Sequence, residues 1–146
     1  MRLSLATMAL LATSAGAEAD ADFGTPEEAR IMAEKIIAII DENGIEAGVK
    51  SLFDPDLPFG SSPMGINLFE GSVVVGDNRE PEMVASEFAE TPDLTGVAAW
   101  PRIDAAAGEG RDVVLKWYHY DTQEVYDFHC YSLRAASPEY TVMVCR

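Results

Sequence analysis

Residues 112–146 read DVVLKWYHYDTQEVYDFHCYSLRAASPEYTVMVCR, and this stretch decides the fold. Three runs rich in Val, Tyr, Phe and Trp, namely Asp112–Tyr120, Tyr126–Arg134 and Tyr140–Arg146, are separated by Asp121–Glu124 and by Ala136-Ser137-Pro138-Glu139. β-Branched and aromatic side chains suit a pleated, half-buried surface, and short polar breaks between them predict turns. The stretch therefore reads as an antiparallel meander of three strands. Taking residues 136–139 as a hairpin loop sets Ala135 against Tyr140, and counting outward puts Cys130 directly opposite Cys145. They are the only two cysteines of the chain. In an oxidising compartment two cysteines placed so predict one cross-strand disulfide, which would pin the register and stabilise by ~2–3 kcal/mol. The alternative is a pair of reduced core cysteines on one sheet face. Their spacing excludes a catalytic CxxC pair.

The compartment is read from the opposite end of the chain. Arg2 gives a short positive start, Leu3 to Ala12 is an apolar run broken by Ser4 and Thr7, and Thr13 to Ala17 are all small. Ala15 and Ala17 stand as an A-x-A cleavage signal requires. Spanning a bilayer takes ~20 apolar residues, about twice this run, so it does not read as a membrane anchor. Beyond it the character flips to Glu18, Asp20 and Asp22. Residues 1–17 are thus expected to be a signal peptide cut after Ala17, leaving residues 18–146 as a single exported domain, periplasmic or secreted. No later segment approaches membrane-spanning length, so no membrane association is expected after cleavage. Ten basic residues against twenty-five acidic ones give a formal charge of −15. Such a surface repels phosphate backbones, and no nucleic-acid partner is expected.

Between the ends, Thr25-Pro26-Glu27-Glu28 is a helix start: Thr25 as N-cap, Pro26 in the first turn and Glu28 completing a capping box. The helix runs through Ile31, Met32, Ile36, Ile37 and Ile40 to Gly44, and a shorter one is expected over Ile45–Phe53. Ile66–Phe69 and Ser72–Val75 read as strands around the turn Glu70-Gly71. Glu82–Phe88 suggests a helical turn or two, and Val97–Ala107 another short helix ended by Gly108-Glu109-Gly110. The expected class is α+β: a long N-terminal helix packed on a five-stranded antiparallel sheet, with a helical crossover after the second strand.

With these elements in place the chain resembles a single Cache domain of the second type, a small extracellular PAS-like sensor fold. The resemblance starts in the Thr25 helix, with Ala33, Lys35, Gly44 and Ala47. It continues at Phe69-Glu70-Gly71-Ser72-Val73, at Asn78-Arg79-Glu80-Pro81-Glu82-Met83-Val84, which is similar to that family's "NP-E-LVG" segment, and at Asp93-Leu94-Thr95-Gly96 before the crossover helix. Gly108-Glu109-Gly110, the strand ending Trp117-Tyr118, and Tyr131 complete it. The sequence departs from the pattern at Phe128, near the place of the family's lysine, in Val142–Arg146, and in the shorter turn after Trp117. The resemblance implies a small-molecule-binding sensor-type domain, with a small organic acid as its ligand, acting as a free-standing exported member through a separate envelope partner.

In such a fold one sheet face packs on the long helix and the other meets the crossover. Strand alternation puts Phe128, Ser132 and Met143 with the cysteines, and Tyr131, Leu133, Val142 and Val144 on the opposite face. On the preceding strand Leu115, Trp117 and His119 alternate with Lys116, Tyr118 and Tyr120. Which set faces the helix is left open. Candidate ligand-binding residues are Trp100 and Arg102 from the crossover, Trp117, Tyr118 and Tyr120 from the strand, and Tyr131; an arginine with tyrosine hydroxyls would suit a small anion. The alternative is a structural or interaction protein in which these aromatics fill the core and Arg102 reaches water. His119 and His129, with Asp121 and Asp127, form a sparse His/Asp set that reads as solvated sheet positions, so no metal and no cofactor is expected. No Ser-His-Asp order or nucleophile elbow stands out, and an enzyme is not expected.

Overall fold

The computed structural model describes residues 23–146; the expected signal peptide and its cut after Ala17 lie outside the described residues. The element order is α1 (Pro26–Asn43), α2 (Ile45–Ser51), β1 (Gly65–Glu70), β2 (Val73–Asp77), α3 (Trp100–Glu109), β3 (Arg111–Tyr118), β4 (Val125–Arg134) and β5 (Tyr140–Cys145). The five strands form one antiparallel sheet in the order β2-β1-β5-β4-β3. The fold is α+β, as the sequence predicts.

The capping box forms as read: the Thr25 hydroxyl accepts from the Glu28 backbone N–H at 3.2 Å, and Glu28 Oε2 accepts from the Thr25 N–H at 2.7 Å. Ala29, Ala33, Ile36, Ile37 and Ile40 of α1 are buried against Ile66, Leu68, Val142 and Val144, with Tyr131 and Leu133 at the margin. The opposite sheet face carries Phe69, Val74, Val113, Leu115, Phe128, Cys130, Met143 and Cys145 under Phe88 and the α3 residues Ala99, Ile103 and Ala106. The sequence left open which face meets the helix; α1 takes the Tyr131 face, and the cysteine face turns to the crossover. Cys130 pairs with Cys145 in the register, and the two sulfurs are bonded.

Three elements differ from expectation. α3 starts at Trp100 rather than Val97, because Pro101, which lacks an N–H, is tolerated only in a first turn. Residues 94–97 before it form a turn, with the Gly96 N–H donating to the Asp93 carbonyl and Pro92 bridging Ala98. In place of a helix over Glu82–Phe88 there is one 3-10 turn, Pro81–Met83, after which the chain extends and Glu87 bridges Val73. β3 ends at Tyr118, because the His119 N–H donates to the Glu124 carbonyl and the Gln123 N–H to the His119 carbonyl, closing a turn early.

The crossover also covers both sheet edges, which would otherwise present unpaired backbone groups. Along β2, Val74 exchanges backbone hydrogen bonds with Ala85 and Ser86. Along β3, the Leu94 N–H donates to the Lys116 carbonyl, and the Lys116 N–H donates to Asp93 Oδ2 at 3.0 Å.

Candidate functional site

On the cysteine face a pocket of about 80 Å³ opens between the sheet and the segment that leaves β2. Its floor is Asn67, Leu115, Phe128, Cys130, Met143 and Cys145, one or more residues from each strand except β2. Asp77, Arg79, Glu80, Met83 and Phe88 form one side; Trp117, Tyr118 and Tyr120 form the other. It is smaller than the ~150 Å³ cavity that can hold benzene, so it suits a ligand of a few heavy atoms.

A β-bulge supplies one polar wall. Leu68 pairs with Gly76 and Phe69 with Val74, which leaves Val75 as the extra residue in β2. Simple alternation would send Val74 and Asp77 to opposite faces. The bulge lets both face the crossover, while Val75 packs toward α1. Asp77 is thereby buried opposite Asn67, whose side-chain N–H donates to Asp77 Oδ2 at 2.6 Å. Asp77 Oδ1 accepts from the backbone N–H groups of Arg79 and Glu80 at 2.8 and 2.7 Å. Burial raises the Asp77 carboxyl above its usual range, and these three hydrogen bonds only partly offset it. The Glu80 carboxyl is raised too, first by burial and then by the charges of Asp77 and Glu82.

Asn78 fixes where the next residues go. Its side-chain oxygen accepts from the Ile66 N–H at 2.7 Å, and its amide donates to the carbonyls of Phe59 and Met64. Arg79 then reaches across the mouth, donating from Nη2 to the Pro63 carbonyl at 3.1 Å, with its guanidinium 4.9 Å from the Tyr120 ring centroid. The Tyr120 hydroxyl donates to the same Pro63 carbonyl at 2.5 Å, and burial raises its pKa. Arg79 Nε is buried with no acceptor among the described residues.

No protein-family model matches the chain, and no curated protein sequence does either. Solved structures do. A Cache chemosensory domain described for its carboxylic acid recognition is 11% identical, with a TM-score of 0.63 over 82% of this chain and 90% of that one. The fold is that of a Cache domain. A periplasmic sensor domain of a chemotaxis protein (10% identical, TM-score 0.59, 82% and 88% covered) shares it. So does a methyl-accepting chemotaxis protein from Vibrio parahaemolyticus (13% identical, TM-score 0.57, 82% and 81% covered).

Within this Cache fold the six residues singled out from sequence fall in two groups. Trp117, Tyr118 and Tyr120 line the pocket. Trp100, Arg102 and Tyr131 do not. Trp100 packs on Phe69, 5.2 Å between ring centroids, beneath the start of α3. Arg102 is engaged at the β3 edge: its Nη2 pairs with Asp93 Oδ2 at 2.8 Å, and its other N–H groups donate to the carbonyls of Ala98 and Val114. Tyr131 lies on the α1 face, across the sheet from the pocket. Strand alternation sets Tyr131 on the face opposite Phe128 and the cysteines.

His119 is buried among Phe23, Tyr120, Tyr126 and Phe128, while His129 is exposed on β4. Among the described residues no three His, Cys, Asp or Glu side chains gather as metal ligands. Sequence reasoning missed Asn67, Asp77, Arg79 and Glu80 as pocket residues. The available signal was the run Asp77-Asn78-Arg79-Glu80, three charges at the end of an apolar strand.

Proposed function

We propose that this chain is an exported small-molecule-binding domain of sensor type, with its ligand in the pocket between the sheet and the crossover, and with its ligand state read by a separate envelope protein. The observation that carries this reading is the pocket itself: aromatic and thioether walls with a few convergent polar groups, on the sheet face opposite the long helix. That open space supports ligand binding over the alternative of a filled interaction scaffold. Trp117, Tyr118 and Tyr120 are the sequence-derived residues assigned to contact the ligand. For a small organic acid the cation at hand is Arg79, not Arg102, because Arg102 is already paired with Asp93.

The signal-peptide pattern of residues 1–17 supports a periplasmic or secreted location, as does the Cys130–Cys145 disulfide. No helix among the described residues is long and apolar enough to cross a membrane. A thermal-shift panel of small carboxylates, amines and amino acids tests the reading. At least one class should raise the unfolding midpoint, and Trp117→Ala should abolish that rise. A flat response to all three classes would sink it.

A further inference from the structure

Two opposite charges in the pocket have no match. Arg79 and Glu80 both line it, and neither has an ion-pair partner within 4.0 Å among the described residues. Arg79 spends one Nη on a carbonyl and its face on Tyr120, but its buried Nε has no acceptor. Nothing like this holds for Asp77, whose carboxylate already accepts three hydrogen bonds from Asn67, Arg79 and Glu80. Glu80 is half-buried and raised by that burial, with no hydrogen bond to offset it. The unpaired charged groups of the pocket are therefore one guanidinium and one carboxylate, neighbours in sequence, beside the apolar wall of Phe88, Trp117, Phe128 and Met143.

We propose that the pocket is a site for a small zwitterion, an amino acid about the size of glycine, alanine or β-alanine, with its carboxylate on the Arg79 guanidinium and its ammonium at Glu80. The proposal rests on the ligand-binding reading above and names the class of ligand. Charge-assisted hydrogen bonds to guanidinium and carboxylate are the strong ones, and a buried charge left without a partner is costly. A plain carboxylate would satisfy Arg79 and place a second negative group beside Glu80. A plain amine would satisfy Glu80 and leave Arg79 Nε without an acceptor, next to a like charge. A zwitterion alone meets both groups at once, and the 80 Å³ volume keeps it small.

The test is calorimetric titration of the purified, disulfide-bonded protein with glycine and β-alanine, and with their single-charge counterparts acetate, propionate, methylamine and ethylamine. The amino acids should bind at least tenfold tighter than any counterpart. Arg79→Gln should remove the advantage of glycine over methylamine, and Glu80→Gln the advantage of glycine over acetate. Each variant is checked for an unchanged circular-dichroism spectrum; if one does not fold, the wild-type comparison still decides. Acetate, propionate or an amine binding as tightly as the amino acids would overturn the zwitterion assignment while leaving ligand binding standing. No heat from any of the six probes would overturn the assignment as well. The ligand-binding reading itself would then stand or fall on the wider thermal-shift panel.

Discussion

Asp77 and Asp93 are both buried carboxylates, and their surroundings drive them in opposite directions. For Asp93 burial alone would raise the pKa, but the Arg102 guanidinium, the Thr95 hydroxyl and the backbone N–H groups of Lys116 and Thr95 outweigh it and hold the carboxyl well below its usual range. A depressed folded value contributes stability that is fully present above the unfolded value of about 3.9 and is lost as pH falls through the folded one. Asp93→Asn should therefore cost roughly 2–3 kcal/mol at neutral pH, since it leaves Arg102 without its counter-charge. Urea unfolding should show that deficit shrinking below about pH 4. Glu80 has the other sign. Its raised value means the folded chain holds its proton more tightly than the unfolded chain, so stability falls as pH rises from about 4.3 through the folded value. Glu80→Gln should then stabilise the ligand-free protein at neutral pH by roughly 0.5 kcal/mol or less, the charge being partly solvated. No difference between the two should remain below about pH 4; a variant less stable at neutral pH would contradict the account. Asp93-Leu94-Thr95-Gly96 was legible as a turn. Its partner Arg102 was not, because the pairing exists only once the crossover lies along the β3 edge.

At the scale of elements, the β4–β5 hairpin was the most legible part of the molecule. A four-residue break containing Pro138 sets the register, and a register with period two carries every side chain with it. Counting outward from Ala135 and Tyr140 was enough to place Cys130 against Cys145. The Cys130→Ser/Cys145→Ser double variant should unfold ~2–3 kcal/mol more easily, given a sequence separation of 15. Both cysteines also line the pocket, so the variant should weaken any ligand response in the thermal-shift panel. An unchanged denaturation midpoint would mean that the hairpin register is held without the bond. The ends of β3 and α3 were less legible. Aromatic alternation runs on through Tyr120, but Gln123 takes a φ of 59° and its N–H closes a turn on His119, ending the strand two residues early. That early end frees Tyr120 to reach Pro63, 57 positions away in sequence. No local pattern predicts a contact of that separation.

For the whole molecule, charge and pocket pull on one another. The chain carries −15 formal charges, and the pocket sets Asp77 and Glu80, two of its carboxylates, beside one guanidinium, that of Arg79. The fold class and the residues that share each face of β4 and β5 could be read from the sequence, because they follow from hydrophobic period and hairpin register; which face meets α1 could not. The pocket could not, because it is made by a bulge at Val75 and by a clamp from Asn78 onto residues 59–66, features that a strand-and-helix reading passes over. The surface acidity carries its own consequence. Like charges repel in the compact state more than in the expanded one, and the repulsion is screened over ~30 Å at 0.01 M salt but only ~3 Å at 1 M. Raising sodium chloride from about 0.01 to 0.5 M should therefore raise the unfolding midpoint. The Arg102–Asp93 pair is buried on the Asp93 side and should resist that screening, so the deficit of Asp93→Asn should persist at the higher salt. A midpoint that falls steadily with added salt would mean that ion pairs, not net repulsion, dominate the surface. Among the described residues the exposed pairs of Arg30 with Glu27 and Glu34, of Arg111 with Glu109 and of Lys116 with Asp127 are too few against twenty-five acidic side chains for that outcome.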